Sequence, residues 1–437
     1  MAIATLVAGC RGGAGRPNVV LLSIDCLNAR QLQGAIERGL MPAIAQLESE
    51  ATVFTRAHAN APWTTPSHMT MLTGLYPSQH GRDISVHLMT QVNNFYDRVP
   101  RFRTVAEYLH DAGYATAAFV GKGAMSAEFG FAQGFDQFVE SPKQGRPDFE
   151  TALTALGQWL DGHEGAPFFA FVHTYDLHTP RVREYTAEDD ALHGIDQSVG
   201  RLVADLRQRG LYDRTAIFVT GDHGSIMLKS EGKCCSHGLG HYEENLHVPL
   251  VLKLPGAPPG RRSDLLVRHV DILPTMLELT GTDAGGYAGP GESMLATLRA
   301  GTTADRFSYS EADASCVERR ALVNERYKYI YTPKDDRQLL LEMYWRFTGL
   351  CPASCFALPL EELFDLRSDP TEDRNLIGTD LDAEQTQWLA RFREQMAADM
   401  NLPRAYVQRV FTDQDRVHAA PVTESVHKAL KALGYVQ

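Results

Sequence analysis

A small set of residues in the sequence has the types and spacing needed to bind a cation and to activate a hydroxyl beside it. Asp25 ends one apolar run, Asp222 and His223 follow another, and Thr64 stands just ahead of a Thr-Pro pair. Two carboxylates and an imidazole suit Zn²⁺ or Mn²⁺ better than Ca²⁺, which prefers oxygen ligands. A threonine hydroxyl is a poor nucleophile at neutral pH, and a divalent cation stabilises its alkoxide. The set predicts a metal-assisted centre in which Thr64 is both an oxygen ligand and the nucleophile.

Thr64 lies at the predicted start of a helix. Pro66 is favoured at a first helical position because its missing N–H costs nothing there, and Gly74 and Pro77 bring the helix to a close near residue 75. Unpaired N–H groups and the positive end of the helix dipole would then surround the Thr64 hydroxyl and form an anion site. A helix cap without catalytic purpose fits the same residues, since threonine is a good N-cap.

Buried strands and amphipathic helices alternate along most of the chain. Strand-like runs cover residues 18–25, 115–120, 167–173, 215–220 and 248–254, and helical patterns cover residues 41–50, 105–111, 195–208 and 271–279. This alternation predicts a mostly parallel sheet covered by helices on both faces. Ligands bind outside the carboxyl ends of the strands in such sheets. Asp25, Asp176, His178 and Asp222 all fall at those ends.

Several segments resemble the signatures of the sulfatase family, within the alkaline phosphatase superfamily. Residues 64–68 read TTPSH against the family pattern C-x-P-S-R, and residues 72–81 read LTGLYPSQHG against LTG-x-YP-x-x-HG. Residues 220–224, TGDHG, match the family's S/T-x-DHG metal motif, and residues 363–376 resemble its C-terminal ELYDL-x-x-DP motif. The resemblance implies an α/β fold of the alkaline-phosphatase-like sandwich type, with a large mostly parallel sheet and a small C-terminal antiparallel-sheet subdomain.

Three departures from the sulfatase pattern bear on the chemistry. Thr64 occupies the position of the Cys or Ser that sulfatases oxidise to formylglycine, and threonine cannot become an aldehyde in that way. His68 stands at the arginine position, where it could orient or deprotonate Thr64. Cys26 stands where many sulfatases carry a second aspartate, which weakens a calcium-type shell. A threonine nucleophile resembles instead that of the phosphodiesterases and phosphoethanolamine transferases of the superfamily.

The resemblance also implies which residues contact the transferred anion. His178, in a D-x-H-x-P segment, corresponds to a histidine that contacts the anion, and Lys122 resembles the lysine of the family's GKWHLG segment although the WHLG half is absent. His237 is the predicted proton donor to the leaving group, with His241 as its rival. Lys122 as a solvated loop residue and His68 as a helix-face residue without a role stay open.

One metal ion is expected, with Zn²⁺ favoured and Mn²⁺ and Ca²⁺ left open. Two-metal relatives carry a histidine four residues after an aspartate, whereas Pro180 stands at that spacing from Asp176. The resemblance divides the chain into a leader at 1–16, a catalytic domain at 17–304 and a C-terminal subdomain at 305–437 with a closing helix.

Charge and leader residues give expectations about partners and compartment. The net charge of −12 argues against nucleic acid and anionic membranes as general partners, but it does not forbid a small anionic ester as substrate. No apolar run is long enough to span a bilayer. Residues 7–10, VAGC, resemble a bacterial lipoprotein box, so lipidation of Cys10 and a place in the periplasm or cell envelope are expected, with a cytoplasmic location left open. Whether Cys351 and Cys355 form a disulfide, and the oligomeric state, are open too.

The leading hypothesis is a metallohydrolase in which Thr64 attacks a phosphodiester, phosphonate or phosphate ester and forms a covalent intermediate. A sulfate-ester hydrolase that works without formylglycine is the first alternative. A transferase of phosphate-linked head groups and a catalytically inactive sulfatase-like binding protein are the others.

Overall fold

The computed structural model describes most of the chain. The described residues are 15–81, 102–141, 149–163, 165–178, 188–225, 240–256, 260–303, 306–312, 318–333 and 358–400. Predictions that concern Cys10, His237, Cys351, Cys355 and the closing helix lie outside these residues and stay predictions.

Among the described residues, eight strands form one large sheet in the order β4-β3-β5-β1-β6-β7-β2-β8. The strands are β1 (Asn18–Ile24), β2 (Thr52–His58), β3 (Ala115–Val120), β4 (Gln137–Glu140), β5 (Phe168–Thr174), β6 (Thr215–Gly221), β7 (His247–Lys253) and β8 (Arg261–Arg268). β1 pairs in parallel with β5 and β6, and only β7 runs antiparallel to its neighbours. The predicted mostly parallel sheet is confirmed.

Helices cover both faces of this sheet. They are α1 (Ala29–Glu37), α2 (Pro42–Glu48), α3 (Thr64–Thr73), α4 (Pro77–His80), α5 (Val105–Asp111), α6 (Phe149–Asp161), α7 (Glu188–Gln208), α8 (Glu243–Leu246), α9 (Ile272–Thr280) and α10 (Met294–Ala300). Successive residues of β1 enter opposite cores: Val19 and Leu21 pack with α3 and α9, and Val20 and Leu22 pack with α1, α2, α6 and α7. A strand buried on both faces reads as a continuous apolar run for this reason.

A separate antiparallel sheet follows in the order β12-β11-β10-β9. Its strands are β9 (Ser308–Ala312), β10 (Arg319–Val323), β11 (Tyr327–Tyr331) and β12 (Glu361–Asp365), and helix α11 (Ala383–Met400) follows them. Phe392 of α11 packs with Tyr329 of β11 in a third apolar core. The predicted C-terminal antiparallel-sheet subdomain is confirmed, whereas its boundary at residue 304 stays a prediction.

The elements differ from the sequence-based expectations in several places, and helices α1, α6 and α10 and strand β4 were not predicted. α3 begins at Thr64 with Trp63 as its N-cap residue, so Pro66 is the third helical residue rather than the first. Proline fits there equally well, because the first four N–H groups of a helix have no intrahelical partner. α7 begins at Glu188 rather than at 195, since its polar first turn carries no apolar period. β2 and the edge strand β8 were not predicted, because charged residues interrupt their apolar alternation.

Candidate active site

Two neighbouring parallel strands, β1 and β6, carry three of the predicted metal ligands to one edge of the sheet. Asp25 directly follows β1, and its backbone N–H donates to the carbonyl of Thr174 at the end of β5. Ile24 is in register with Gly221, so Asp222 leaves β6 at the same level on the other side. Asp25, Asp222 and His223 are all fully buried. The strand order therefore joins residues that are far apart in the sequence.

Helix α3 adds Thr64 to this group. The Thr64 hydroxyl donates to Asp25 Oδ2 at 3.0 Å and lies 3.3 Å from His223 Nε2. Thr64 is the first residue of the helix, where backbone N–H groups have no partner within the helix and the helix dipole is positive. The predicted nucleophile therefore lies close enough to Asp25 and His223 for one metal ion to contact all three residues.

His223 presents an unprotonated nitrogen to the site. Its Nδ1 lies 2.8 Å from the Gly224 carbonyl oxygen, which can only accept, so Nδ1 carries the proton and Nε2 does not. Burial lowers the pKa of His223, which keeps the ring neutral. Neutral imidazole with its other nitrogen held by a carbonyl is the usual state of a metal-bound histidine.

Asp222 completes an arrangement that fits a cation. Its Oδ1 accepts from the backbone N–H groups of Cys26 at 3.1 Å and His223 at 2.8 Å. Its Oδ2 is buried, accepts no hydrogen bond, and lies 3.3 Å from His223 Nε2. Two acceptor atoms facing each other at this distance need a proton or a cation between them. The residues present therefore fit a divalent metal ion.

The two carboxylates have opposite pKa shifts. Burial alone would raise the pKa of Asp25, but the neighbouring imidazoles of His173, His178 and His223 outweigh burial and hold that pKa below its ordinary value. Burial, together with the charge of Asp25, raises the pKa of Asp222 well above its ordinary range. Two adjacent buried carboxylates do not both ionise without a countercharge. A divalent cation supplies such a countercharge.

His173 lies beside this group, although it was not among the predicted site residues. Its Nε2 lies 3.7 Å from Asp25 Oδ2, and its ring stands edge-on to His68 at 4.8 Å between centroids. Burial lowers the pKa of His173, so the ring is neutral. The signal in the sequence was its position near the end of β5, but only the pairing of β5 with β1 places it beside Asp25.

His68 contacts the backbone of Thr64 and not its hydroxyl. His68 Nδ1 donates to the Thr64 carbonyl oxygen at 2.7 Å, and Ser23 Oγ lies 2.8 Å from Nε2. Because Nδ1 is the donor, Nε2 accepts from the Ser23 hydroxyl. Burial lowers the pKa of His68 well below its ordinary value. This geometry suits the orienting role among the two that the sequence suggested.

The remaining predicted site residues lie around this group. His178 follows β5, is fully buried, and packs edge-on against Tyr175 at 5.8 Å. His241 is fully buried just ahead of α8. Lys122 follows β3, and its ammonium forms an ion pair of 3.1 Å with Glu140. The roles of these residues, and that of His237 outside the described residues, stay predictions.

Cys26 was weighed in the sequence only as the loss of an aspartate. Its thiol donates to Asp25 Oδ1 at 2.8 Å. Asp25, Cys26 and His223 present potential ligand atoms that all lie within 4.8 Å of one another, and all three residues are buried. Burial and the charges of Asp25 and Asp222 raise the pKa of this thiol. The cluster thus contains a sulfur atom as well as oxygen and nitrogen.

Within the described parts of the chain, no helix combines the length and the apolarity that crossing a membrane requires.

Comparison with known proteins adds a family to this geometry. A family model described as Sulfatase matches residues 17–282, which is more than half of the chain. The Ulvan-active sulfatase of Formosa agariphila is 22% identical over 496 aligned residues, covering 89% of this chain and 77% of that protein. Arylsulfatase K of Xenopus laevis is 26% identical over 201 residues, covering 42% of this chain and 32% of that protein, so the match spans about a third of that relative's length.

Solved structures share the fold at low sequence identity. A protein in complex with its substrate D-glucosamine-2-N,6-O-disulfate superposes with a TM-score of 0.68 at 18% identity, covering 89% of this chain and 99% of that chain. The phosphonate monoester hydrolase of Agrobacterium radiobacter superposes with a TM-score of 0.64 at 19% identity, covering 88% of this chain and 95% of that chain. The shared fold therefore includes proteins named for two different ester classes.

Proposed function

Since the chain belongs to the sulfatase family and is an ester hydrolase, we propose that it hydrolyses phosphodiesters, phosphonate monoesters or phosphate monoesters with Thr64 as the nucleophile. The observation that carries the proposal is the position of the Thr64 hydroxyl, 3.0 Å from Asp25 Oδ2 and 3.3 Å from His223 Nε2. A divalent cation at these residues, proposed as Zn²⁺ or Mn²⁺, would stabilise the alkoxide of Thr64.

The chemistry of threonine supports phosphorus over sulfur as the attacked atom. Threonine is a secondary alcohol, so its oxidation gives a ketone and never the aldehyde whose hydrate sulfatases use. An unmodified hydroxyl must instead attack in line and later be freed by water. Phosphoryl transfer runs in this way, with catalysis supplied mainly by positioning and by charge stabilisation.

The residues of the chain have distinct parts in such a reaction. Asp25 Oδ2 accepts a hydrogen bond from the Thr64 hydroxyl, whose proton passes to solvent as the alkoxide forms, and His68 fixes the first turn of α3 through the Thr64 carbonyl. The new bond joins Thr64 Oγ1 to phosphorus, and the bond from phosphorus to the leaving oxygen breaks. We assign the proton for that oxygen to His237, with His241 as the alternative donor. Water then attacks the phosphothreonine, releases the phosphate or phosphonate product, and restores the hydroxyl.

The binding of the transferred anion is assigned to the start of α3 and to the neighbouring basic residues. N–H groups at a helix start bind anions, and Thr64 places the reacting oxygen directly beside them. His178 and Lys122 are the proposed contacts to the remaining oxygens of the anion. In the structure the Lys122 ammonium is paired with Glu140, so an anion contact by Lys122 requires exchange of that partner.

Hydrolysis of sulfate esters without formylglycine is the second candidate. It is favoured by the family match over residues 17–282 and by the name of the Formosa agariphila relative. The fold does not separate the two ester classes, because proteins named for sulfated and for phosphonate substrates both share it.

A substrate panel tests the proposal. The metal-saturated protein is assayed with aryl sulfate, phosphate monoester, phosphodiester and phosphonate monoester, with the bound metal quantified. Turnover of a diester or phosphonate is expected to be fastest. Acid quenching during turnover should trap phosphate or phosphonate on the peptide that contains Thr64, detected by mass spectrometry and absent from Thr64→Ala. Fastest turnover of the sulfate ester would replace this proposal by the second candidate.

A further inference from the structure

We infer that Cys26 Sγ is a ligand of the metal ion at the Asp25 centre, so that the centre binds a thiophilic cation such as Zn²⁺ in preference to Ca²⁺. The inference concerns the same centre as the proposed function and rests on a cation binding there, but it does not depend on which ester is hydrolysed.

The position of the sulfur atom is the first observation. Cys26 Sγ lies 2.8 Å from Asp25 Oδ1, and the potential ligand atoms of Asp25, Cys26 and His223 all lie within 4.8 Å of one another. Ligands of a tetrahedral zinc ion, at bond lengths of about 2.0–2.3 Å, are about 3.3–3.8 Å apart. Small side-chain rotations are therefore enough to bring these three atoms to one ion.

The neighbouring carboxylate is an independent second observation. Asp222 Oδ2 is fully buried and accepts no hydrogen bond, although its partner oxygen Oδ1 accepts from the Cys26 backbone N–H at 3.1 Å. A buried carboxylate oxygen without a donor is costly, and a cation satisfies it. The same turn thus carries the thiol and fixes a carboxylate with an unsatisfied oxygen.

The backbone of Cys26 holds the sulfur at the site. Cys26 has φ of 64°, in a left-handed region that non-glycine residues adopt rarely and that is concentrated at functional sites. Cys26 is 2% exposed, so the thiol is enclosed rather than open to solvent.

The sulfur changes which cation the site prefers. A thiolate is a soft ligand that Zn²⁺ binds well, whereas Ca²⁺ takes oxygen ligands. A set of one sulfur, one nitrogen and carboxylate oxygens matches a tetrahedral zinc site. Binding of the ion releases the thiol proton to solvent, as coordination by cysteine requires. A packing role for a small apolar side chain is the alternative, since Cys26 also contacts an apolar core.

Cobalt binding to the full chain distinguishes metal ligation by Cys26 from a packing role of this side chain. The protein is stripped of metal and titrated with Co²⁺, and the near-ultraviolet charge-transfer band of a cobalt–thiolate bond is recorded. The band is expected in the wild type and should be lost in Cys26→Ser. Single serine replacements at the six other cysteines, of seven in the chain, serve as matched controls and should retain it.

A second variant tests the same inference if Cys26→Ser folds poorly. Cys26→Asp is expected to lower Zn²⁺ affinity by at least about tenfold, the loss that even an outer-shell change produces, and to raise Ca²⁺ affinity. Circular dichroism checks the fold of each variant. A wild type that binds Co²⁺ without the band, binds no Co²⁺, or keeps the band in Cys26→Ser would overturn the inference. Failure of phosphoester turnover alone would refute only the proposed function, because the band is measured without substrate.

Discussion

The Thr64 hydroxyl donates a hydrogen bond of 3.0 Å to Asp25 Oδ2, joining the start of a helix to the end of a strand 39 residues away in the chain. The contact links the predicted nucleophile to the predicted metal ligand that lies at the centre of the large sheet. Both residues are fully buried. Substitutions at either residue should therefore change catalytic activity and leave the solvent-exposed surface of the protein unchanged.

Replacements at Thr64 should distinguish the effect of the hydroxyl on kcat from the effect of side-chain shape. Thr64→Val keeps the volume but removes the attacking oxygen, so kcat is expected to fall by about 10⁴-fold or more. Thr64→Ser keeps a hydroxyl and should stay within about tenfold of the wild type. Steady-state kinetics on the best substrate of the panel measure both. Activity of Thr64→Val near that of Thr64→Ser would exclude Thr64 as the nucleophile.

His68 is expected to act as a positioning residue. Its Nδ1 contacts the Thr64 carbonyl at 2.7 Å, so His68→Ala should loosen the first turn of α3 and lower kcat by about 10–100-fold. The pH dependence of kcat should keep its shape. Ser23→Ala, which removes the partner of His68 Nε2, should cause a smaller loss in the same direction. A shifted limb of the pH profile in His68→Ala would indicate that His68 removes the proton of Thr64 instead.

Removal of the metal should lower thermal stability. Without a cation, Asp222 Oδ2 faces His223 Nε2 at 3.3 Å and accepts no hydrogen bond. A ligand that binds only the folded protein, at a free concentration a hundred times its Kd, stabilises it by about 2.7 kcal/mol. Chelation should therefore lower Tm, and added Zn²⁺ should restore it, as measured by calorimetry. In Asp222→Asn the response to Zn²⁺ should be weaker, and an equal response would argue against Asp222 as a ligand.

Asp271 should be important for stability away from the site. It is fully buried and receives hydrogen bonds from Arg268 Nη2 at 2.9 Å and from Arg306 Nη2 at 2.8 Å. Asp271→Ala leaves two largely buried guanidinium groups without their carboxylate, which should cost about 3–5 kcal/mol of unfolding free energy. Urea denaturation measures the change.

A matched control for Asp271 is the exposed pair of Arg38 and Asp189, whose side chains are 54% and 51% exposed. Asp189→Ala should cost less than about 1 kcal/mol, because solvent screens the charges of this pair. Similar losses of unfolding free energy in Asp271→Ala and Asp189→Ala would show that the burial of Asp271 does not increase its contribution to stability.

Asp399 should make stability depend on pH. Burial raises the pKa of Asp399 to about 6, and the charge of Glu311 adds to this rise. The hydrogen bonds from Gln395 and the charge of Arg268 lower the pKa, but burial outweighs them. A raised carboxyl pKa gives stability that is present below the unfolded value of 3.8 and is lost as pH rises through about 6. Between pH 4 and 7 the wild type should thus lose about 1–2 kcal/mol relative to Asp399→Asn, after allowance for partial exposure.

Urea titrations at several pH values measure this difference. Glu394→Gln changes an exposed carboxyl on the same helix and is expected to follow the wild type. An Asp399→Asn curve parallel to that of the wild type would refute the assignment of the pH dependence to Asp399.

The sequence by itself determined the fold class and the members of the main cluster. Local sequence patterns were sufficient, because a buried parallel strand is apolar throughout and because the residues that bind ligands follow its carboxyl end. Asp25 and Asp222 could be identified in this way, whereas Thr64 was singled out by the resemblance of residues 64–68 to the sulfatase signature.

The tertiary structure decided which residues meet around Asp25. β1 lies between β5 and β6, and this order places His173 beside Asp25 although no local pattern links the two residues. The left-handed turn at Cys26 directs its sulfur to the same carboxylate, and sequence reasoning had counted this residue only as a missing oxygen ligand. Strand order and turn geometry depend on contacts between distant segments, which is the physical reason that local sequence patterns did not reveal them.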